Sequence, residues 1–157
     1  MDPGSSAAVE SVSAWGVEFA VVEYEPGISL EEAARQRGVA PAQVIKTMVV
    51  RLEDGSFVLV LVPGDRVIDW PGLRGLLGAR RLSLADEEEA FVVTGYRRGA
   101  ITPLGATGSL EVIADESILS LDPASIGGGA HGVAIHLSGI DLVEGLNARS
   151  AAVARPR

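Results

Sequence analysis

Two apolar runs dominate the pattern along this chain, Lys46 to Leu52 and Ser56 to Val62, joined through Glu53-Asp54-Gly55. Asp-Gly tolerates the positive φ of a tight hairpin turn, so the spacing predicts a β-hairpin that Pro63-Gly64 ends. Upstream, a short amphipathic helix ending near Trp15-Gly16 precedes a first strand, Val17 to Tyr24. Ser29-Leu-Glu-Glu32 has capping-box spacing and Gly38 stops the helix it starts, after which Pro41 opens a short helical turn.

Beyond the hairpin, Asp69 caps a helix with Leu73, Leu76 and Leu77 on one face, and Arg80 to Leu84 is a short strand candidate. Asp86 to Glu89 repeats the capping spacing for a helix through Phe91 and Val92, broken at Gly95. Residues 95–108 contain Gly95, Gly99, Pro103, Gly105 and Gly108 and read as a long structured loop. Leu110 to Ala114 and Val133 to Leu137 read as strands, with Gly127-Gly-Gly129-Ala-His-Gly132 between them. Ser138 with Asp141 starts a last helix through Leu142, Val143 and Leu146, and the tail from Arg149 to Arg157 is expected to be mobile, as is a leader from Met1 to Ser6. Strands come first as a hairpin and later as scattered pieces between helices, which predicts a single α+β domain with a mixed or antiparallel sheet.

Size and charge narrow the classes. A chain of 157 residues, 47% apolar and 22% charged, has the length and balance of one globular domain. Its longest apolar run, Phe57 to Val62, is far too short to cross a bilayer, and the N-terminus has neither the basic start nor the apolar core of a secretory signal. With no cysteine, the chain has no disulfide, thiolate metal site or cysteine nucleophile. These features fit a cytoplasmic protein. The formal charge of −8 argues against broad, nonspecific nucleic-acid binding, and leaves Arg80-Arg81 and Arg97-Arg98 as pieces of a local basic patch. The acidic clusters at Glu31-Glu32 and Asp86 to Glu89 read as helix N-termini.

Of the thirteen lysine and arginine residues, twelve are arginine, and Lys46 is the one lysine. It stands among Val44, Ile45, Met48, Val49 and Val50, where a buried strand begins. An ammonium is a compact point charge with three rotatable donors, unlike the planar guanidinium fork, so a solitary lysine in this setting is a candidate for a role that needs an ammonium; the alternative is a lysine that snorkels out of an apolar segment. Of the two histidines, His136 falls in an alternating apolar strand and reads as structural, while His131, in a glycine loop, is the better candidate. No histidine pair has metal-ligand spacing, no Gly-x-Ser-x-Gly elbow is present, and the lysine lacks the preceding glycines of a phosphate-binding loop. What remains is a lysine, glycine loops that let a ligand approach the main chain, and backbone amides that polarise a carbonyl or hold an anion. Such a site works without a protein nucleophile if the substrate carries a hydroxyl beside the reacting ester.

Together these segments resemble the YbaK/EbsC family of aminoacyl-tRNA deacylases, which is similar to the editing domain of bacterial prolyl-tRNA synthetases. Val39 to Thr47 followed by a hairpin is similar to the family's lysine segment; Thr94 to Gly105, with its Gly-x-x-x-Pro loop, to its second signature; and Ile126 to Gly132, preceded by Asp115-Glu116-Ser117, to its third. The likeness covers about residues 17–146, a core with flexible termini within one domain of residues 1–157. It implies a curved, barrel-like mixed sheet flanked by helices, and metal-free, cofactor-free hydrolysis of the ester on mischarged tRNA, Cys- or Ala-tRNA-Pro above all, in the cytoplasm. It implies catalytic roles for Lys46 and Gly99, and substrate contacts from Thr47, Tyr96, Ala100, Ile101, Thr102, Pro103, Gly128, Gly129 and His131. The implied partners are the tRNA acceptor end and prolyl-tRNA synthetase, with no membrane. Two rival readings are a non-catalytic module of the same fold that binds the acceptor end or a synthetase, and a small-molecule ester hydrolase using the same loops.

Overall fold

The computed structural model describes residues 6–26 and 29–157; the proposed leader falls largely outside them, in residues 1–5. The first described elements are helix α1 (Ala7–Ser13), capped by Ser6, strand β1 (Ala20–Glu23) and helix α2 (Leu30–Arg37), capped by Ser29 and closed by Gly38 in the left-handed conformation. A 3-10 turn, Pro41–Gln43, leads into β2 (Ile45–Leu52) and β3 (Phe57–Pro63). Their hairpin turn is fixed by Gly55 at φ 86° and by the Asp54 carboxylate, which accepts from the Ser56 amide at 2.9 Å and its hydroxyl at 2.6 Å.

β4 (Arg66–Ile68), helix α3 (Trp70–Leu77), β5 (Leu82–Leu84) and helix α4 (Glu87–Thr94) follow, then β6 (Glu111–Asp115), a 3-10 segment, β7 (Ala124–Gly127), β8 (Val133–Leu137), helix α5 (Gly139–Gly145), β9 (Arg149–Ala151) and β10 (Ala154–Pro156). The main sheet is mixed and five-stranded, in order β5-β2-β3-β6-β9, with β3-β6 and β6-β9 parallel. A three-stranded sheet β1-β8-β7 and a two-stranded pair β10-β4 complete the α+β fold, and a parallel bridge from Val44 to Ser125 ties the first of these to the main sheet.

The main sheet is covered on both faces, which is why β3 reads as an unbroken apolar run. Its two-residue period sends Leu59 and Leu61 into one cluster, with Ile45 and Val49 of β2, and Val58, Val60 and Val62 into another, with Val50. The first cluster is closed by α1, α5 and the β1-β8-β7 sheet, through Val12, Leu142, Ile126 and Ile135. The second is closed by α3 and the end of the chain, through Leu73 and Val153.

The tail expected to be mobile is instead ordered. Val153 is fully buried between β9 and β10, and its carbonyl accepts from the Asp69 amide at 2.8 Å. The anchor is Asp115: one carboxylate oxygen accepts from the amides of Val153 at 3.0 Å and Ala154 at 2.9 Å, and the other binds Ser117. β4, which the sequence reading did not contain, exists as the partner of that tail, pairing Ile68 with Ala154 and Arg66 with Pro156.

Removing the Asp115 acceptor leaves two main-chain donors without their charged partner. Asp115→Ala is therefore expected to cost about 2–3 kcal/mol, lowering the melting temperature by about 4–12 °C for a chain of this size. Hydrogen exchange should show protection lost first at Val153 and Ala154 while the β2-β3 amides stay protected; unchanged exchange at those two amides would show that the carboxylate does not hold the tail.

Candidate active site

β2 has eight residues and its neighbour β5 only three, pairing with Val50 to Leu52. The first half of β2 is thus an open sheet edge. The Val49 carbonyl accepts from Ala85 at 2.8 Å, so by the strand's period the main-chain N–H and C=O of Thr47 face the same, unpaired side. A cleft of about 400 Å³ lies along this edge. β2 contributes Ile45 to Val49, the 95–108 loop contributes Arg98, Gly99 and Ile101, and the start of α4 contributes Asp86 and Glu87. Arg37 from α2 and Gly127 from β7, with Val44, Leu84, Ala85 and Ala90, complete it. The edge lets neighbours from opposite faces of β2, Lys46 and Thr47, line one hollow.

Lys46 is partly buried, and its Nζ donates to the Arg66 carbonyl at 2.7 Å. Burial lowers its pKa from the ordinary lysine value; the nearby Arg157 cation adds to this and Asp65 opposes it. An ammonium has three donors, so two remain after the bond to Arg66, and no carboxylate forms a salt bridge with it among the described residues. Thr47 Oγ1 is buried without a hydrogen-bond partner among those residues, a state that buried hydroxyls rarely keep.

Gly99 has φ 89°, a conformation that favours glycine, and a Cβ there would sit 2.6 Å from Cε1 of the exposed His131 ring, which would have to shift. The turn around it is closed by the Ala100 amide donating to the Arg97 carbonyl at 2.9 Å, while the Gly99 amide makes no main-chain hydrogen bond among the described residues. Behind it the loop is held by its own side chains. Tyr96 donates its hydroxyl to the Leu104 carbonyl at 2.7 Å, Thr102 accepts from the Leu104 amide at 3.3 Å, and Pro103 is buried. A Cβ on Gly129 would meet the Tyr96 ring at 3.1 Å, and the Gly128 amide donates to the Val133 carbonyl at 2.8 Å.

The three sequence segments therefore converge, in two layers. Lys46, Thr47, Gly99 and Ile101 line the cleft. Tyr96, Ala100, Thr102, Pro103, Gly128, Gly129 and His131 do not, and instead support or abut the loop that carries Gly99. The paired arginines also separate. Arg97 is engaged by Glu88 at 2.8 Å and lies 3.7 Å over the Phe91 ring, whereas Arg98 lines the cleft. Arg80 and Arg81 meet Arg51 and Arg74 around a different hollow of about 530 Å³.

Nothing in the sequence singles out Arg37, since a cation in the last turn of a helix is adequately explained by the helix dipole. Its guanidinium donates to Tyr24 Oη at 2.9 Å and to Ser125 Oγ at 3.3 Å, while its Nε is buried and unpartnered among the described residues. His136 stays structural, facing this arginine: burial, then the Arg37 charge, lower its pKa. Among the described residues no three His, Asp or Glu side chains gather as a metal site.

Residues 25–144 match the model of the aminoacyl-tRNA editing domain family. The chain is 40% identical over 97 residues to a proline–tRNA ligase of Desulforamulus reducens, covering 62% of this chain and 17% of that protein. It is 32% identical over 120 residues to that of Caldicellulosiruptor bescii, covering 76% of this chain and 20% of that protein. It thus spans about a fifth of the curated relatives it matches. Among solved structures, one described as a candidate trans-editing enzyme for prolyl tRNA synthetase superposes with TM-score 0.86 at 25% identity, covering 99% of both chains. A second, described as a hypothetical protein, gives TM-score 0.87 at 26% identity over 96% of this chain and all of that one. By its sequence match, its fold and the site it builds, the chain belongs to the aminoacyl-tRNA editing domain family.

Proposed function

We propose that this chain is a trans-acting aminoacyl-tRNA deacylase that hydrolyses the ester of mischarged tRNA, with Cys- or Ala-tRNA-Pro as substrates, in the cytoplasm alongside prolyl-tRNA synthetase. The observation that carries this reading is the joint placement of Lys46, Thr47 and Gly99 on one cleft whose lining has no serine, cysteine or histidine. Catalysis there rests on placement and main-chain polarity. Water attacks the ester carbonyl, assisted by the ribose hydroxyl next to the ester. The carbonyl oxygen gains charge within reach of the Gly99 amide, the bond from carbonyl carbon to ribose oxygen breaks, and that oxygen takes a proton to leave a free tRNA end and a free amino acid. Lys46 holds a backbone phosphate as a point charge, and the Thr47 hydroxyl and main chain orient the aminoacyl group. Small apolar walls, Ile45, Val49, Ala90 and Ile101, suit a small side chain. The arginines around the Arg51, Arg74, Arg80 and Arg81 hollow give a chain of net charge −8 a local surface for the acceptor stem.

A second reading, a non-catalytic module that binds the acceptor end or the synthetase, is favoured by one observation: the ammonium of Lys46 is already engaged by the Arg66 carbonyl.

Three outcomes test these readings. Micromolar protein should release amino acid from Cys- or Ala-tRNA-Pro and spare Pro-tRNA-Pro; tight tRNA binding with no release from any mischarged tRNA would establish the binding module instead. Lys46→Arg keeps the charge but replaces a point donor by a planar fork, so kcat/KM should fall about 10- to 100-fold, an increment of about 1.4–2.7 kcal/mol in the barrier; wild-type rates in that variant would remove Lys46 from the mechanism. Because the Lys46 proton affinity is depressed by burial, the ammonium is charged only below a value under the ordinary 10.5. Its contribution to kcat/KM should be present at lower pH and be lost as pH rises through that lowered value. Lys46 being the one lysine, NMR of protein carrying labelled lysine reports this titration as a single side-chain signal, and a midpoint at or above 10.5 would contradict the burial.

A further inference from the structure

Lys46 also lines a second hollow of about 340 Å³, which shares Met48 and Leu84 with the first. Its distinguishing walls are Trp70, the first residue of α3, and Arg155 of β10, over aliphatic side chains of β3 and β4. We propose that this hollow is a nucleobase subsite that takes the base of the nucleotide preceding the terminal adenosine of the tRNA 3′ end, with Trp70 as its stacking face and Lys46 and Arg155 against the linking phosphate. The identity of that nucleotide rests on the reading of the first cleft as the aminoacyl-adenosine site.

Three observations carry the assignment. The first is continuity: both hollows share one rim, on which Leu84 is 50% exposed, so a chain leaving one enters the other without crossing the fold. The second is charge. The first cleft sets Asp86 and Glu87 against Arg37, Lys46 and Arg98, whereas the lining of the second has two cations, Lys46 and Arg155, and no carboxylate to repel a phosphate. The RNA backbone is therefore drawn toward the second. The third is chemistry: an aromatic face and aliphatic floor bounded by cations is the composition that binds unpaired bases, because stacking needs only a π face and the cations track the backbone. Lys46 retains two donors for that phosphate beyond its bond to Arg66.

The test uses the unacylated trinucleotide cytidylyl-cytidylyl-adenosine and protein labelled with 5-fluorotryptophan, whose two tryptophans, Trp15 and Trp70, give two fluorine NMR signals. The trinucleotide should move the Trp70 signal and leave that of Trp15, and adenosine monophosphate should move Trp70 less. Trp70→Ala should raise the Kd for the trinucleotide about tenfold, the size of one lost base stack, and Trp70→Phe should stay within about threefold of wild type. Arg155→Gln, on an exposed strand, should weaken binding and flatten its salt dependence, and keeps the test decisive where Trp70→Ala fails to fold. A Trp70 signal unmoved at millimolar trinucleotide, or full binding by Trp70→Ala, overturns the inference. Ester hydrolysis with an unmoved Trp70 overturns this subsite alone; a moved Trp70 without ester hydrolysis supports the subsite and overturns the deacylase reading.

Discussion

The unequal lengths of β2 and β5 set the geometry of the candidate cleft. Had β5 paired along all of β2, the Thr47 main chain would be spent on a ladder and Lys46 and Thr47 would lie on separate, closed faces. The shortfall leaves an open sheet edge, and such an edge displays unpaired donors and acceptors. Here the exposed stretch is short, flanked by Arg98 and Gly99 on one side and by the acidic start of α4 on the other. That makes it a poor template for another strand and a good one for a small polar ligand.

In this acidic chain the charges are sorted by element. The carboxylates at the start of α4 serve the cap and the dipole: the Asp86 and Glu89 carboxylates each accept from the other's main-chain amide, Glu88 holds Arg97, and Glu89 lies 3.5 Å from Arg51. Arg80 and Arg81 ahead of β5, Arg74 of α3 and Arg155 of β10 form no salt bridge among the described residues. The net charge, a whole-chain sum, conceals this arrangement.

What the sequence made legible were the features with local causes. The Asp54-Gly55 turn, the caps at Ser29, Asp69, Asp86 and Ser138, and the glycine stops at Gly38 and Gly95 all stand where short-range chemistry puts them. Lys46 stands out in the sequence as the one lysine and through the resemblance, and Gly99 through its glycine loop and the resemblance; both line the same cleft. Missed features have causes distant along the chain. Arg149 to Arg157 reads as a mobile tail until the Asp115 carboxylate, 38 residues away from Val153, is placed beneath it. Arg37 owes its position to Tyr24 and Ser125, the latter 88 residues away. Likewise no pattern in Tyr96 or His131 reveals whether a side chain meets ligand or braces the loop beneath it, since both roles sit beside the same glycines.

One side-chain amine in the whole chain has a practical corollary. Lys46 is the one side chain of this sequence open to amine-directed acylating reagents, and it stands on the rim between two hollows. Its depressed basicity increases the unprotonated, nucleophilic fraction at mildly alkaline pH. The molecule thus carries a built-in attachment point for a covalent probe at its candidate site, with no engineered cysteine required.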